Sequence, residues 1–246
     1  MKLLYCSHRG SFSRSGNDYY STGSWPYFIP ALSLFFESMC LMVPVSHYPR
    51  AWSSKLDMTP SLRVVETKAY ENGTLQFIQS SYLWGWGNVL KFRKWQSQVD
   101  VVLFDIPSTL PYLAYFPFIN KPVIALVKGD ERELAKIPAG LLLPKIEKFT
   151  GILKLRELLE NYLLKKSQVI ICRNSEFKQK LLHKCNLTES KVNIVLNGID
   201  SNMFKPFALE QRNKIRQNLG LSDNLVIGFV AGLISHSKGA DTLITA

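Results

Sequence analysis

Five apolar runs, centred on Leu3, Val101, Ile124, Ile170 and Ile194, constrain the fold of this chain more than any other feature. Most of them are rich in β-branched residues, as strands buried on both faces of a parallel sheet are. Segments with helical spacing separate several of the runs. This alternation predicts an α/β fold, a doubly wound parallel sheet with helices on both faces, for residues 1 to about 200.

The charge and composition of the chain narrow its class. With 246 residues, 46% hydrophobic and 20% charged, the chain is globular and long enough for one or two cores. A net charge of +11 favours an anionic partner: a membrane surface, a phosphorylated substrate or nucleic acid. No nucleic-acid motif accompanies that charge, so nucleic acid is the least favoured of the three.

No segment of the sequence indicates export or membrane insertion. The apolar stretch Trp25–Val45 is interrupted by prolines and a glutamate, and the first residues are typical of a strand, not of a signal peptide. The sequence therefore predicts a cytoplasmic protein, with a peripheral position on the inner face of the membrane as a further expectation.

The cysteines give no metal-binding pattern. Their spacing predicts buried free thiols in a reducing compartment, and no metal site is expected. They are Cys6, Cys40, Cys172 and Cys185.

The first predicted strand, Lys2–Ser7, is followed by a polar loop with glycines at 10, 16 and 23 and then by a helix over Pro30–Leu41. Leu32, Phe35, Phe36 and Met39 share one face at helical spacing. A loop at the carboxyl end of such a strand is where α/β sheets bind ligands. His8 and Arg9 are cleft candidates there, and a hydrogen-bonded structural histidine is the alternative.

The segment Tyr82–Trp95 mixes aromatic residues with Lys91, Arg93 and Lys94. Aromatic rings beside cations suit a membrane interface. The alternative is an ordinary amphipathic helix whose aromatic residues pack in the core. The sequence leaves both interpretations open.

Further strands are predicted at Leu41–Ser46, Ser61–Thr67, Val99–Phe104 and Pro122–Val127, with a helix over Ser108–Phe118. Glu147–Lys166 has the longest helical pattern, and its apolar stripe is expected to face the core. That stripe consists of Ile152, Leu155, Leu159 and Tyr162.

A strand over Ser167–Cys172 follows, and Ser175 is a candidate N-cap for the next helix. The last strand of the domain is predicted at Val192–Leu196. It breaks at Asn197-Gly198, residue types that tolerate left-handed backbone angles. Asp200 can then bond to backbone groups two residues on, which makes Asn197, Gly198 and Asp200 a candidate interdomain turn.

The order of motifs that follows closely resembles the linker region of family-4-type glycosyltransferases. The resemblance rests on Val195–Asp200, Phe204–Pro206, Leu219–Leu221, Val226–Gly232 and Lys238–Asp241. Those enzymes have the GT-B fold, in which two Rossmann-like domains face each other across a cleft and this stretch joins them. The motifs are specific as an ordered set and weak when taken singly.

The resemblance implies an organisation for the whole chain. Residues 1–205 are expected to form the acceptor-side Rossmann-like domain and 206–222 the linker. Residues 223–246 are expected to contain a first strand at Leu225–Ala231 and the start of a helix, the opening of a truncated nucleotide-sugar-binding domain. A helix over Ala208–Leu219, stopped by Gly220, is predicted within the linker.

The resemblance also implies a donor site. Its phosphate-binding residues would be Gly232, Lys238 and Gly239, while Leu233 occupies the position of a family arginine. No metal or other cofactor is expected, since the sequence has no Asp-X-Asp motif and the family needs none.

On the acceptor side, the strand over Pro122–Val127 runs in the family into a histidine-glycine pair. Here Lys128 replaces the histidine; phosphate binding and a solvated loop cation are both compatible with that lysine. The expected acceptor-cleft residues are His8, Arg9, Gly10, Gly16, Lys128, Gly129 and Asp130.

The implied activity is transfer from a nucleotide sugar, with retention of configuration, to a lipid-linked or glycan acceptor in glycan or glycolipid assembly. A non-catalytic acceptor-domain subunit or degenerate remnant, which needs a second-domain polypeptide as partner, is the alternative. A basic nucleic-acid-binding domain ranks third.

Overall fold

The computed structural model describes residues 1–7, 12–47, 53–68, 85–106, 115–128, 152–196, 198, 201, 204–221, 224–229 and 240–245. The chain divides into two compact units. The first consists of Met1–Glu131 and Gly140–Leu196, and the second of Arg132–Ala139 and Asn197–Ala246.

The first unit is built around one sheet, which contains ten strands within the described ranges. In chain order they are β1 (Lys2–Cys6), β2 (Phe12–Ser15), β3 (Asp18–Ser21), β4 (Ser38–Ser46), β5 (Ser54–Lys55), β6 (Leu62–Lys68), β7 (Val101–Ile106), β8 (Val123–Val127), β9 (Val169–Cys172) and β10 (Val192–Ile194).

The pairing of these strands is mostly parallel. From β1 the chain moves outward to β4 and then β6, which pairs with β4. It then crosses to β7, on the other side of β1, and continues outward through β8 and β9 to β10. The strand order therefore reverses between β1 and β7, which is the topological switch point of a doubly wound sheet. The prediction of a parallel sheet from the five apolar runs is confirmed.

Six α-helices lie in the described ranges: α1 (Trp25–Ser33), α2 (Gly85–Gln96), α3 (Ile152–Lys166), α4 (Ser175–Cys185), α5 (Leu209–Asn218) and α6 (Ala240–Thr245). Two short 3-10 helices, Phe116–Phe118 and Glu189–Lys191, accompany them. No described helix is long and apolar enough to cross a bilayer.

Helices cover both faces of the sheet. Period-two alternation sends Leu4 and Cys6 of β1 to one face and Leu3 and Tyr5 to the other. The first face carries α2, α3 and α4 through buried residues such as Phe92, and the second carries α1. The four cysteines are buried free thiols, as the sequence predicts. Burial, reinforced by the charge of Asp105 and by Cys40, raises the pKa of the Cys6 thiol well above its ordinary value.

The segment after β1 differs from the predicted polar loop. Strands β2 and β3 form an antiparallel hairpin whose turn contains Gly16 at φ +59°. The Gly16-Asn17 pair between two short runs is a hairpin signal, which the spacing of the glycines alone does not reveal. Because β2 pairs with Val45 and Ser46, beyond the end of β1, the hairpin extends past the carboxyl ends of the central strands.

The first predicted helix is misplaced. The structure has α1 at Trp25–Ser33, while Met39 belongs to β4 and Phe35 is exposed. The helical spacing of Leu32–Met39 arose by chance across a helix end and a strand start. Pro26 is the signal for the actual start of α1, because proline is favoured in the first turn of a helix.

The aromatic and basic segment forms α2, and its described side chains follow the amphipathic alternative. Phe92 is fully buried and stacks on Tyr115 with 4.9 Å between ring centroids. Trp95 packs against the same core, and the Arg93 guanidinium lies 5.8 Å from the Phe118 ring centroid. Residues 82–84 lie outside the described part of the chain. The membrane interpretation of Phe92 and Trp95 is therefore wrong.

Two smaller predictions for helices also need correction. The N-cap of α4 is Asn174, whose side chain accepts a hydrogen bond from the Phe177 amide at 2.7 Å, so the cap lies one residue before Ser175. On α3, Leu155 and Tyr162 of the predicted core stripe are half exposed. Leu163 and Leu164 are buried instead, so the stripe that faces the sheet is rotated around the helix axis relative to the predicted stripe.

The second unit contains α5, followed by Gly220 at φ +65° as predicted for its end. The predicted strand at Leu225–Ala231 is not present in its described part, residues 224–229, where the backbone is irregular and Leu225 is 91% exposed. A strand needs a neighbour to pair with its backbone groups, and these residues pair with no described strand.

Substitution of Phe92 tests the placement of α2. Phe92→Ala removes a fully buried ring and should lower the free energy of unfolding by about 3–5 kcal/mol. The matched control on the same helix is Leu90→Ala, because Leu90 is 70% exposed and should change stability by no more than about 0.5 kcal/mol. Denaturant unfolding measures both; equal losses would contradict this placement.

Candidate functional site

A buried polar cluster lies at the carboxyl ends of the three central strands. Ser7 follows β1, Asp105 is the penultimate residue of β7, and Lys128 follows β8. With Tyr5 of β1, these side chains lie on the sheet face that α1 covers, because each occupies the period-two position of that face. The cluster therefore bridges the switch point between β1 and β7, the position where doubly wound sheets bind ligands.

Asp105 is the centre of this cluster. Its side chain is fully buried, and its Oδ1 accepts a hydrogen bond of 2.8 Å from the Tyr5 hydroxyl. The Ser7 hydroxyl donates to Oδ2. Lys128 Nζ lies 3.0 Å from Oδ1 and 3.1 Å from Oδ2. The carboxylate thus has hydroxyl donors on one side and an ammonium group on the other, the compensation that a buried charge requires.

Lys128 is enclosed as well as paired. Its side chain is 14% exposed, and its ammonium group also donates to the Tyr5 hydroxyl at 3.2 Å. The Trp25 ring, at the start of α1, has its centroid 4.2 Å from Nζ, a cation–π contact. Lys128 is therefore not a solvated loop cation, and its charge is compensated by Asp105.

An aromatic group supports this enclosure. The Trp25 ring lies 5.8 Å from the Tyr5 ring and 5.5 Å from the Phe12 ring, and Phe12 is buried at the start of the hairpin. Low polarity around an ion pair strengthens its attraction and also increases the cost of removing either partner. The aromatic residues thus enclose the Asp105–Lys128 pair on the side of α1.

A second cluster fastens the hairpin to the sheet. Arg14 Nη1 donates to the Glu66 carboxylate at 2.9 Å, and the Tyr19 hydroxyl donates to the same oxygen at 2.7 Å. Partial burial acts to raise the pKa of Glu66, but the hydrogen bonds from Tyr19 and Arg14 outweigh it and hold that pKa below its ordinary value. Burial and the bond to Glu66 raise the pKa of Tyr19 to about 12.

The structure describes three of the predicted site residues. Lys128 belongs to the switch-point cluster, and Gly16 forms the hairpin turn. Gly198 is described, and a Cβ atom there would have no other atom within 4 Å. The remaining predicted residues lie outside the described part of the chain: His8, Arg9, Gly10, Gly129, Asp130, Asn197, Asp200, Gly232, Lys238 and Gly239.

Sequence reasoning missed Tyr5, Ser7, Asp105 and Trp25 as members of one site. The sequence did contain a signal for this site: polar Ser7 and Asp105 end the apolar runs of β1 and β7, and period-two alternation places Tyr5 on the same face as Ser7. No local pattern predicts that Trp25 covers Lys128, because that contact depends on where α1 begins. Within the described ranges, no group of three or more side chains is arranged to hold a metal ion.

Comparisons with known proteins concern the fold. No family model matches the chain. No curated protein matches it either. Several solved structures do match the chain. The structure of sucrose-phosphate synthase from Thermosynechococcus elongatus matches at 14% identity and a TM-score of 0.63, over 99% of this chain and 58% of that one.

HepE from Anabaena matches as well. Its complex with UDP aligns at 16% identity and a TM-score of 0.57, over 100% of this chain and 57% of HepE. Its complex with UDP and glucose aligns at 18% identity and a TM-score of 0.54, with the same coverage. This chain has the Rossmann-like fold of GT-B glycosyltransferases. It spans less than two thirds of the length of these structures.

Loss of Lys128 tests the switch-point cluster. Lys128→Met leaves a fully buried carboxylate without its cation and should lower the free energy of unfolding by about 3–5 kcal/mol. The matched control is Lys55→Met, which breaks a surface pair of 2.9 Å with Asp18 and should leave stability unchanged within error. Thermal or urea unfolding reports both, and a stable Lys128→Met variant would show that the pair is not buried.

The hairpin cluster predicts a pH dependence. A carboxylate whose pKa is lowered on folding stabilises the fold above its unfolded pKa, and this stabilisation is lost as pH falls through the folded value. Wild type should therefore lose its advantage over Glu66→Gln as pH falls below 4.5, the ordinary pKa of the group. Tyr19→Phe, which removes one of the two donors, should reduce the size of this advantage. An advantage that is constant with pH would contradict the assignment.

Proposed function

We propose that this chain is the acceptor-side portion of a nucleotide-sugar-dependent GT-B glycosyltransferase. The observation that carries the proposal is the likeness of its full length to HepE, whose structures contain UDP, UDP-glucose or UDP with glucose. The family-4 resemblance of the motifs after Val195 supports the same function. The finer expectations, retention of configuration and a role in glycan or glycolipid assembly, belong to this proposal.

In this proposal the carboxyl edge of the sheet receives the acceptor. Ser7, Asp105 and Lys128 form its floor at the switch point, and the β2–β3 hairpin forms a wall because it extends beyond the strand ends. The Asp105–Lys128 pair is neutral as a unit and buried with Ser7 and Tyr5, so the cluster supports the acceptor site from within the sheet edge and does not itself bind the sugar. A preorganised floor of this kind helps the site to position an acceptor hydroxyl at little cost in entropy.

The donor would be held by the second unit. Lys238 and the backbone of Gly232 and Gly239 are the proposed diphosphate contacts, with no metal. Leu233 supplies no charge where the resemblance implies an arginine. A single missing donor to a developing charge raises a barrier by roughly 3–4 kcal/mol, so this chain alone is expected to transfer sugar poorly or not at all.

The alternative proposal is a non-catalytic acceptor-domain subunit. It is favoured by Leu233, which supplies no charge where the resemblance implies an arginine. Both proposals include a cytoplasmic location and a second-domain polypeptide as partner. They differ in whether a complete donor site forms when the partner is present.

Calorimetry and a transfer assay with UDP-glucose test the function. The chain alone should bind UDP-glucose weakly or not at all, and transfer should appear only with a polypeptide that supplies the rest of the donor domain. In that complex, Leu233→Arg should increase turnover by roughly tenfold or more, since it restores a cation at the leaving group. The matched control is Leu225→Arg, at an exposed position earlier in the same segment, which should leave turnover unchanged.

Three results would decide between the proposals. Micromolar binding and turnover by the chain alone would contradict an acceptor-side portion. Stable association with a donor-domain polypeptide without turnover would favour the subunit. An equal effect of the two arginine substitutions would remove Leu233 from the donor site.

A further inference from the structure

Helix α3 has two apolar faces, and only one of them packs on the sheet. Leu163 and Leu164 are buried in the core on the inner face. On the outer face, Leu155, Leu158 and Tyr162 are 51%, 58% and 51% exposed. Their spacing of three and four residues places them on one side of the helix, so they form a continuous outward stripe. An exposed apolar stripe on a helix indicates an interaction surface.

Lysines border this stripe along the helix. Lys154 and Lys165 are exposed on one flank, next to Leu158 by helical geometry. On the other flank, Lys166 Nζ lies 6.0 Å from the centroid of the Tyr162 ring and donates a hydrogen bond of 2.6 Å to the Ile119 carbonyl. The helix has four basic and two acidic residues, and one of the acidic residues, Glu157, lies 3.9 Å from Lys184. The charge around the stripe is therefore positive.

The same face of the sheet carries further positive charge. α2 lies on this face too, with Phe92 in the same core cluster as the buried leucines of α3. Its last turn contributes Arg93 and Lys94, whose side chains are exposed. Phe92 and Trp95 of α2 pack in the core, whereas these cations lie at the surface.

We propose that the outer face of α3, the stripe Leu155–Leu158–Tyr162 with its bordering lysines, docks in the plane of an anionic bilayer surface. Apolar side chains would enter the headgroup boundary while lysines meet anionic lipid, which is how interfacial helices bind. The net charge of +11 provides long-range attraction. A protein partner fits less well, because lysine is depleted in protein–protein interfaces.

The proposal for the outer face of α3 is independent of the proposed transferase function. Vesicle binding needs neither sugar donor nor acceptor, so the two can fail separately. If both hold, the helix would keep the chain at the surface where a lipid-linked acceptor is found.

Cosedimentation of the full chain with vesicles tests the surface. Binding to vesicles of phosphatidylcholine with phosphatidylglycerol should exceed binding to phosphatidylcholine alone and should weaken as salt rises. Leu155→Gln/Leu158→Gln should lower the partition coefficient by roughly tenfold or more, because two side chains lose their apolar contact with lipid. Lys154→Ala/Lys165→Ala should lower it by roughly fivefold for each lysine.

The matched control is Leu34→Gln/Phe35→Gln, which changes two exposed apolar residues at the end of α1, on the opposite face of the sheet. Its partition coefficient should equal that of wild type. Thermal unfolding checks that the α3 variants fold, and exposed positions should tolerate the change.

Several outcomes would overturn the proposal. Equal vesicle binding by the α3 variant and the α1 control would remove α3 from the membrane contact, and no binding at all would remove the membrane. A marked loss of stability in the Leu155→Gln/Leu158→Gln variant would show that the face is covered by protein. A dimer in sedimentation analysis that this variant abolishes would identify a second copy of the chain as the occupant.

Discussion

The ion pair between Asp105 and Lys128 is the interaction on which the carboxyl edge of the central sheet depends. Asp105 is fully buried and would be costly without a cation, and Lys128 is held within 3.1 Å of both its oxygens. Tyr5 and Ser7 complete the contacts of the carboxylate from β1. One network thus joins the ends of β1, β7 and β8, on both sides of the switch point, into a fixed arrangement.

In the proposed GT-B function, this domain would position the acceptor and the donor-side domain would stabilise the developing charge. Lys128, the lysine of the switch-point cluster, already compensates a carboxylate, whereas a sugar diphosphate needs several cations or amide donors around it. This compensated charge is compatible with the acceptor site of the proposed GT-B function. The β2–β3 hairpin extends beyond this edge and is fastened to the sheet by the hydrogen bond between Arg14 and Glu66.

The sheet could be predicted from the sequence because a strand buried on both faces has a strong compositional signal. The runs at Val101, Ile124 and Ile170 needed no tertiary information. The first helix was misplaced, because apolar residues at a helix end and in β4 together had the spacing of one helical stripe. The side-chain network was also hidden, because contacts between β1, β7 and β8 depend on strand order, which periodicity does not give. Leu158 shows a similar limit, because its hydrophobicity suggests a buried position although more than half of the side chain is exposed.

A double-mutant cycle on Asp105 and Lys128 tests the central claim most directly. The variants are Asp105→Asn, Lys128→Met and both together, with the free energy of unfolding measured for each. If the buried pair joins the three strands, the double variant should be more stable than the sum of the single losses predicts, with a coupling above about 1.5 kcal/mol. A coupling near zero would mean that the two side chains stabilise the fold independently and would contradict the account of this edge.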